Sequence, residues 1–211
     1  MSRFIYLHGF ASGPGSRKAR FFQERFREQA IQLEIPDLAQ GDFRNLTLTG
    51  QLEVIDELCA GEPVSLIGSS MGGYLAALYA ARHPEVQKLV LLAPAFSFAS
   101  RWREELGEEA MREWKRTNVL RVFHYSEGRH SELGYQLAED ALQYEAYPDV
   151  LQPTLIFQGR HDTVVPPRYA QIFATSHPNA RLRMLDSDHE LTNVLDEMWG
   201  ETTPFLISNA P

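Results

Sequence analysis

Val64-Ser65-Leu66-Ile67-Gly68-Ser69-Ser70-Met71-Gly72-Gly73-Tyr74-Leu75-Ala76-Ala77-Leu78-Tyr79 is the stretch on which the reading of the chain turns. Its first four residues form a β-type run, apolar but for Ser65, and its last six have a helical composition. Between them Gly68-Ser69-Ser70-Met71-Gly72 has the spacing of a G-x-S-x-G turn. A serine there is pushed out above a sheet on a tight strand-to-helix corner, and the flanking glycines let neighbouring backbone approach. Ser70 is therefore the candidate nucleophile. The motif is short, so its weight depends on what surrounds it.

The 211 residues suffice for one domain with a substantial core, and we expect a single domain over 1–211. With 44% hydrophobic and 23% charged residues, the composition is that of a globular chain. A formal net charge of −8 with no basic stripe argues against nucleic acid as a partner. The most apolar run, Leu89 to Phe96, is too short to span a bilayer and contains Pro94, so no membrane span is expected. Met1-Ser2-Arg3 leads directly into the strand-like Phe4-Ile5-Tyr6-Leu7, without a signal-type segment, and the expected location is cytoplasmic. Cys59 is the one cysteine and falls on a helical face, as a structural residue would.

Outward from the turn, short apolar runs alternate with helical patterns, the signature of an α/β chain closing on a mostly parallel sheet. Strands are expected at Arg3 to Leu7, Leu33 to Leu38, Pro63 to Gly68, Lys88 to Ala93, Thr154 to Phe157 and Arg181 to Leu185, giving a sheet of about six strands with helices on both faces. Pro36 assigns the second of these to an outer position. Helices are expected from Ser16 towards Ala30, from Thr49 to Ala60, after Ser70, from Pro166-Pro167 to Thr175, and from Leu191 to Ile207 with an interruption near Pro204. The alternation lapses at about 97–150, too long for a structureless loop, and this segment reads as a helical cap insertion. Within it we expect a helix over Arg101 to Lys115, a hairpin pairing Asn118 to Tyr125 with Gly134 to Leu137, and a second helix over Ala138 to Glu145.

Three chemical groups then fall at the carboxyl ends of expected strands, where open α/β sheets bind ligands. Ser70 follows the third strand, Asp162 the fifth and His189 the last. A serine hydroxyl needs a base at neutral pH, and an imidazole can take its proton and return it to a leaving group. A buried carboxylate holds the imidazole in the required tautomer. His189 is the candidate base and Asp162 the candidate acid; the order Ser, Asp, His differs from both protease orders. Backbone amides for a developing oxyanion would come from Met71, just after the nucleophile, and Phe10, in the loop after the first strand. His161, Asp186 and Asp188 are the rivals in the triad, and His8 reads as a loop-shaping residue. His124 and His130 lack partners at metal-ligand spacing and read as solvated cap residues, so neither a metal nor another cofactor is expected. Phe98, Trp102, Trp114, Phe123 and Tyr125 supply either an acyl-binding wall or the packing of the cap.

The segments Leu7-His8-Gly9-Phe10, Gly68 to Tyr74, Gly159-Arg160-His161-Asp162-Thr163-Val164-Val165-Pro166 and Asp188-His189 resemble the landmarks of the α/β-hydrolase superfamily. Within it the chain is similar to small bacterial esterases of the YqiA/YcfP type. The resemblance covers nearly all of the chain outside the cap. It implies a hydrolase without metal or organic cofactor, with Ser70, Asp162 and His189 as triad and Phe10 and Met71 at the oxyanion hole. It also implies a sheet lacking the first two strands of the full superfamily pattern. The expected function is a carboxylesterase-like serine hydrolase, acting on a small-molecule ester or, as a thioesterase, on a thioester. The same motifs look similar to a menaquinone-synthesis-type lyase, which would want an arginine cluster such as Arg101, Arg103 and Arg160, and to a non-catalytic α/β-hydrolase-fold binding module, which would normally have lost part of the triad.

Overall fold

The computed structural model describes residues 3–207. Its main sheet contains β1 (Arg3–Leu7), β2 (Leu33–Glu34), β3 (Val64–Ser69), β4 (Val86–Leu92), β7 (Thr154–Gly159) and β8 (Ala180–Leu185), in the order β2-β1-β3-β4-β7-β8. Every neighbouring pair is parallel. The fold is thus the expected α/β-hydrolase arrangement. β2 is an outer strand, as β8 is at the other edge, and is only two residues long, ending before Pro36.

Strand alternation separates two cores. Phe4, Tyr6, Ile67, Val90, Leu155 and Phe157 face the layer containing α1 (Arg17–Glu28) and α7 (Leu195–Ile207). Ile5, Leu7, Leu66, Leu89, Leu91 and Ile156 face the other layer, which contains α2 (Leu48–Cys59), α3 (Met71–Ala80) and α6 (Arg168–Ser176). α3 is buried on all its faces, as a helix apolar all round must be. Cys59 is a buried free thiol among these apolar residues.

The insertion between β4 and β7 is built from α4 (Phe98–Thr117), the antiparallel hairpin β5 (Leu120–His124) and β6 (Arg129–Leu133), and α5 (Gln136–Ala141). Two expectations are corrected here. The second hairpin strand is β6, not Gly134 to Leu137: the turn closes earlier, with the amides of Glu127 and Gly128 both donating to the His124 carbonyl and Gly128 at φ 65°. α4 breaks at Gly107, whose φ of 76° and ψ of 163° are open essentially to glycine alone. The cap is tied down by Tyr74 Oη donating to the Glu145 carbonyl (2.8 Å) and the Thr49 amide donating to Asp140 (2.9 Å), and within it Trp114 Nε1 of α4 donates to the Leu133 carbonyl of β6 (2.9 Å).

Helix α7 is not interrupted at Pro204. The proline stands near the end of the helix, where a lost backbone hydrogen bond costs least, and Met198, Thr202 and Leu206 anchor the helix in the core. The Lys88 ammonium donates to the terminal carbonyl of Phe205 at 2.8 Å. No helix among the described residues is long and apolar enough to cross a membrane.

Candidate active site

The turn after β3 is under steric pressure from both sides. A Cβ on Gly68 would lie 2.3 Å from the Gly72 carbonyl oxygen, and one on Gly72 would lie 2.2 Å from that of Leu7. Only glycine fits at either position. Ser70 itself is held at φ 52° and ψ −115°, a region an L-residue seldom adopts. Its amide donates to the Leu92 carbonyl (2.8 Å), and its own carbonyl accepts from the amides of Gly73, Tyr74 and Ala95 at 3.0 to 3.1 Å. The backbone is fully engaged, and the side chain is left free for chemistry.

His189 Nε2 lies 3.1 Å from Ser70 Oγ, and its Nδ1 lies 2.8 Å from Asp162 Oδ2. The three side chains therefore form one hydrogen-bonded line. Asp162 is buried, and its carboxylate accepts from the amides of Val164 (2.9 Å) and Val165 (2.7 Å) and from Gln158 Nε2 (2.8 Å) as well as from His189. Burial alone would raise its pKa. The hydrogen bond and charge of His189, with the donors from Val165 and Gln158, outweigh burial and hold the carboxyl below its ordinary value.

The loop carrying His189 reaches this position because Gly159 gives way. A Cβ there would meet the Asp188 carbonyl oxygen at 2.3 Å. The amide of His161 donates to the Ser187 carbonyl (3.0 Å), which stitches the two strand ends together. His161 itself turns outward and pairs with Asp186 at 2.7 Å, both side chains being exposed. Asp188 caps the amide of Glu190. None of the three rivals reaches Ser70. His8 is buried, accepts from the Leu38 amide through Nε2 (3.2 Å) and therefore carries its proton on Nδ1, beside the Gly9 carbonyl (3.0 Å). Burial drives its pKa down and keeps it neutral, a loop-shaping histidine.

Met71 is the first residue of α3, so its amide has no partner within the helix. Among the described residues, no other group accepts from the amide of Met71 or of Phe10. Both residues line a cavity together with Ser70. The Phe10 ring packs edge-on against Trp102 of the cap at 5.1 Å, and the neighbouring Ala11 carbonyl accepts from the Tyr125 amide at 2.8 Å. The cap thus touches the loop that presents Phe10.

Two cavities meet at Ser70. One, of about 250 Å³, runs under the cap between Phe98, Trp102, Leu106, Leu120 and Val122. The other, of about 760 Å³, is more polar and is bordered by Ser12, Ser16, Lys18, Ser126 and Thr192, with Phe123 and Tyr125 at its mouth. The five cap aromatics are thereby sorted: Phe98 and Trp102 line the small cavity, Phe123 and Tyr125 the large one, and Trp114 is packing. Of the three arginines singled out for an anionic substrate, Arg101 is buried at the small cavity, whereas Arg103 and Arg160 are exposed. His124 is not the solvated residue expected: it is buried edge-on against Phe43 at 4.6 Å, whereas His130 is exposed. No cluster of side chains suited to a metal ion occurs among the described residues.

Sequence reading missed two neighbours of the line from Ser70 through His189 to Asp162. Gln158 is buried in β7 and braces Asp162. Lys18 of α1 donates to the Glu190 carbonyl at 2.8 Å, and burial lowers its pKa against the opposing charges of Glu190, Asp162 and Asp188. Both matter through depth and contact, which leave no short motif.

Residues 3–203 match the model of the Uncharacterised protein family (UPF0227), and the chain belongs to that family. Among curated proteins there is no match. Among solved structures, the chain is similar to Est1E from Butyrivibrio proteoclasticus with ferulic acid bound, at 19% identity and a TM-score of 0.83, covering 98% of this chain and 88% of that one. It is also similar to mouse alpha/beta hydrolase domain-containing protein 10 (18%, TM-score 0.82, 96% and 88%) and to the monoacylglycerol lipase of Paleococcus ferrophilus (17%, TM-score 0.76, 98% and 94%). At such identities these likenesses establish the α/β-hydrolase fold.

Proposed function

We propose that the chain is a serine hydrolase that cleaves a carboxylic ester or thioester of a small molecule through an acyl-enzyme on Ser70. The observation that carries the reading is the unbroken line from Ser70 Oγ to His189 Nε2 (3.1 Å) and from His189 Nδ1 to Asp162 (2.8 Å). His189 takes the Ser70 proton as Oγ attacks the carbonyl carbon. The oxygen, now negative, is stabilised by the amides of Met71 and Phe10, each donor contributing about two to three orders of magnitude in rate. The imidazolium is stabilised by the ionised Asp162 and returns the proton to the departing alcohol or thiol. Water, deprotonated by His189, then attacks the acyl group and releases the acid and free Ser70.

The two cavities suggest a division of labour. The small apolar one takes the acyl part, and the larger polar one takes the leaving group. In this reading residues 1–211 act as one domain, with the insertion at about 97–150 as its cap. The similarity to a monoacylglycerol lipase and to Est1E with ferulic acid bound favours the same chemistry. The test is hydrolysis of short- and long-chain p-nitrophenyl esters by wild type and by Ser70→Ala. Wild-type turnover that falls by at least about four orders of magnitude in the variant is expected. Equal turnover in both, or no turnover and no labelling of Ser70 by a fluorophosphonate, would overturn it.

A further inference from the structure

The small cavity holds a charge that its apolar walls do not explain. Arg101, in the first turn of α4, lines it and is 4% exposed, and its Nε and Nη1 are both buried without a hydrogen-bond partner. Its other contacts are loose. Nη2 lies 3.6 Å from Glu105 Oε1, beyond a hydrogen bond, and the Glu105 side chain is half exposed. The guanidinium carbon stands 5.7 Å from the centre of the Tyr169 ring. Asp162 and Arg168 act on it only through longer-range charge, and burial, the largest influence, disfavours its charged form. A buried arginine is almost always paired, because its five donors cannot be neutralised by losing a proton. This one lines the same cavity as Ser70 with its pairing incomplete.

A guanidinium presents two bidentate edges, Nε with Nη2 and Nη1 with Nη2, and each edge of Arg101 includes an unpartnered nitrogen. The ligand that matches such an edge is a carboxylate. We infer that Arg101 receives the terminal carboxylate of the acyl group, so that the substrate is a monoester or monothioester of a short dicarboxylic acid. This rests on the hydrolase reading above. The scissile carbonyl then sits at Ser70, the methylenes lie along Phe98, Trp102 and Leu106, and the far carboxylate meets the guanidinium. Both free nitrogens are closed off from solvent, so engagement turns the guanidinium into the cavity and gives up the contact to the Tyr169 ring and the loose one to Glu105, neither of them a hydrogen bond. A cavity of about 250 Å³ suits a short chain.

The experiment compares kcat/KM for monomethyl succinate, glutarate and adipate with the methyl esters of uncharged acids of equal length, for wild type, Arg101→Met and Arg101→Lys. At one length the wild type is expected to prefer the charged ester by at least about tenfold, the worth of one charge-assisted contact. Arg101→Met should lose that ratio and Arg101→Lys keep part of it. The Tm of Arg101→Met should match or exceed that of wild type, because no hydrogen bond is lost. Equal ratios in wild type and Arg101→Met, or no preference at any length, would overturn the inference. Calorimetric binding of the free dicarboxylates separates the two readings. Binding that requires Arg101 without any ester turnover would leave the carboxylate site standing and overturn the hydrolase; turnover with no Arg101-dependent binding would do the reverse.

Discussion

Asp162 has a donor for every strong acceptor position of its carboxylate, from Val164, Val165, Gln158 and His189. Those bonds hold its pKa below the usual carboxylate value despite burial. A group depressed in this way stabilises the fold fully above its unfolded pKa, about 3.9, and loses that contribution as pH falls through the lower folded value. Asp162→Asn should therefore have a lower Tm than wild type at pH 7, and the difference should narrow as pH falls below about 4, measured by thermal melts across pH. At pH 7 the same variant should lose about four orders of magnitude in kcat, because an amide does not hold His189 in the working tautomer. Ser70, Asp162 and His189 were legible in the sequence because each follows a strand end, a position that hydrophobic patterning fixes. Lys18 and Gln158 were not legible as parts of the site, and Arg101 was legible only as one of three arginines that an anionic substrate would want, not as the one that is buried. An arginine on a helix reads as solvated until the packing around it is known, and nothing within a few residues of Arg101 announces that the cap will cover it.

Among the elements, the turn from β3 to α3 carries the tightest constraint. Gly72→Ala places a methyl group 2.2 Å from the Leu7 carbonyl oxygen and 2.5 Å from that of His8, and both belong to backbone that leads into the loop of Phe10. Relief requires β1 and α3 to move apart, at a cost of about 3 kcal/mol. A Tm lower by about 6 to 12 °C is expected, together with reduced activity in whatever variant protein remains folded. An unchanged Tm would mean that the turn is slacker than its geometry implies. The six parallel strands were readable from apolar runs of strand length, since both faces of the sheet are covered. The hairpin β5-β6 was misplaced because Arg129-His130-Ser131-Glu132 is a polar ribbon with no buried face to impose alternation until Leu133. Pro204 misled for the converse reason: local propensity argued for a break, and the tertiary anchorage of α7 prevailed.

For the whole molecule, the question is how a cap inserted between two adjacent strands of the sheet is held over Ser70. One attachment passes through Asp140, which accepts from both the amide (2.9 Å) and the hydroxyl (2.5 Å) of Thr49 in the first turn of α2. Asp140→Ala should cost about 1–2 kcal/mol, a Tm lower by about 2 to 8 °C, and should bring limited proteolysis into residues 97–150 before the sheet is cut. Early cleavage elsewhere would show that other contacts govern the cap. The presence of an insertion was evident from the lapse in alternation. That Trp102 would pack on Phe10 and couple the cap to the loop after β1 was not, because the two residues are far apart in the sequence and only the folded cap brings them together. The central claim remains the covalent one, and it is tested most directly by mixing the protein with p-nitrophenyl acetate, quenching in acid and mapping the modified peptide by mass spectrometry. An acetyl group on Ser70 in wild type and none in Ser70→Ala is the predicted result. Ester hydrolysis with no acetyl-enzyme at Ser70, or acetylation that persists at another residue of Ser70→Ala with activity intact, would contradict it.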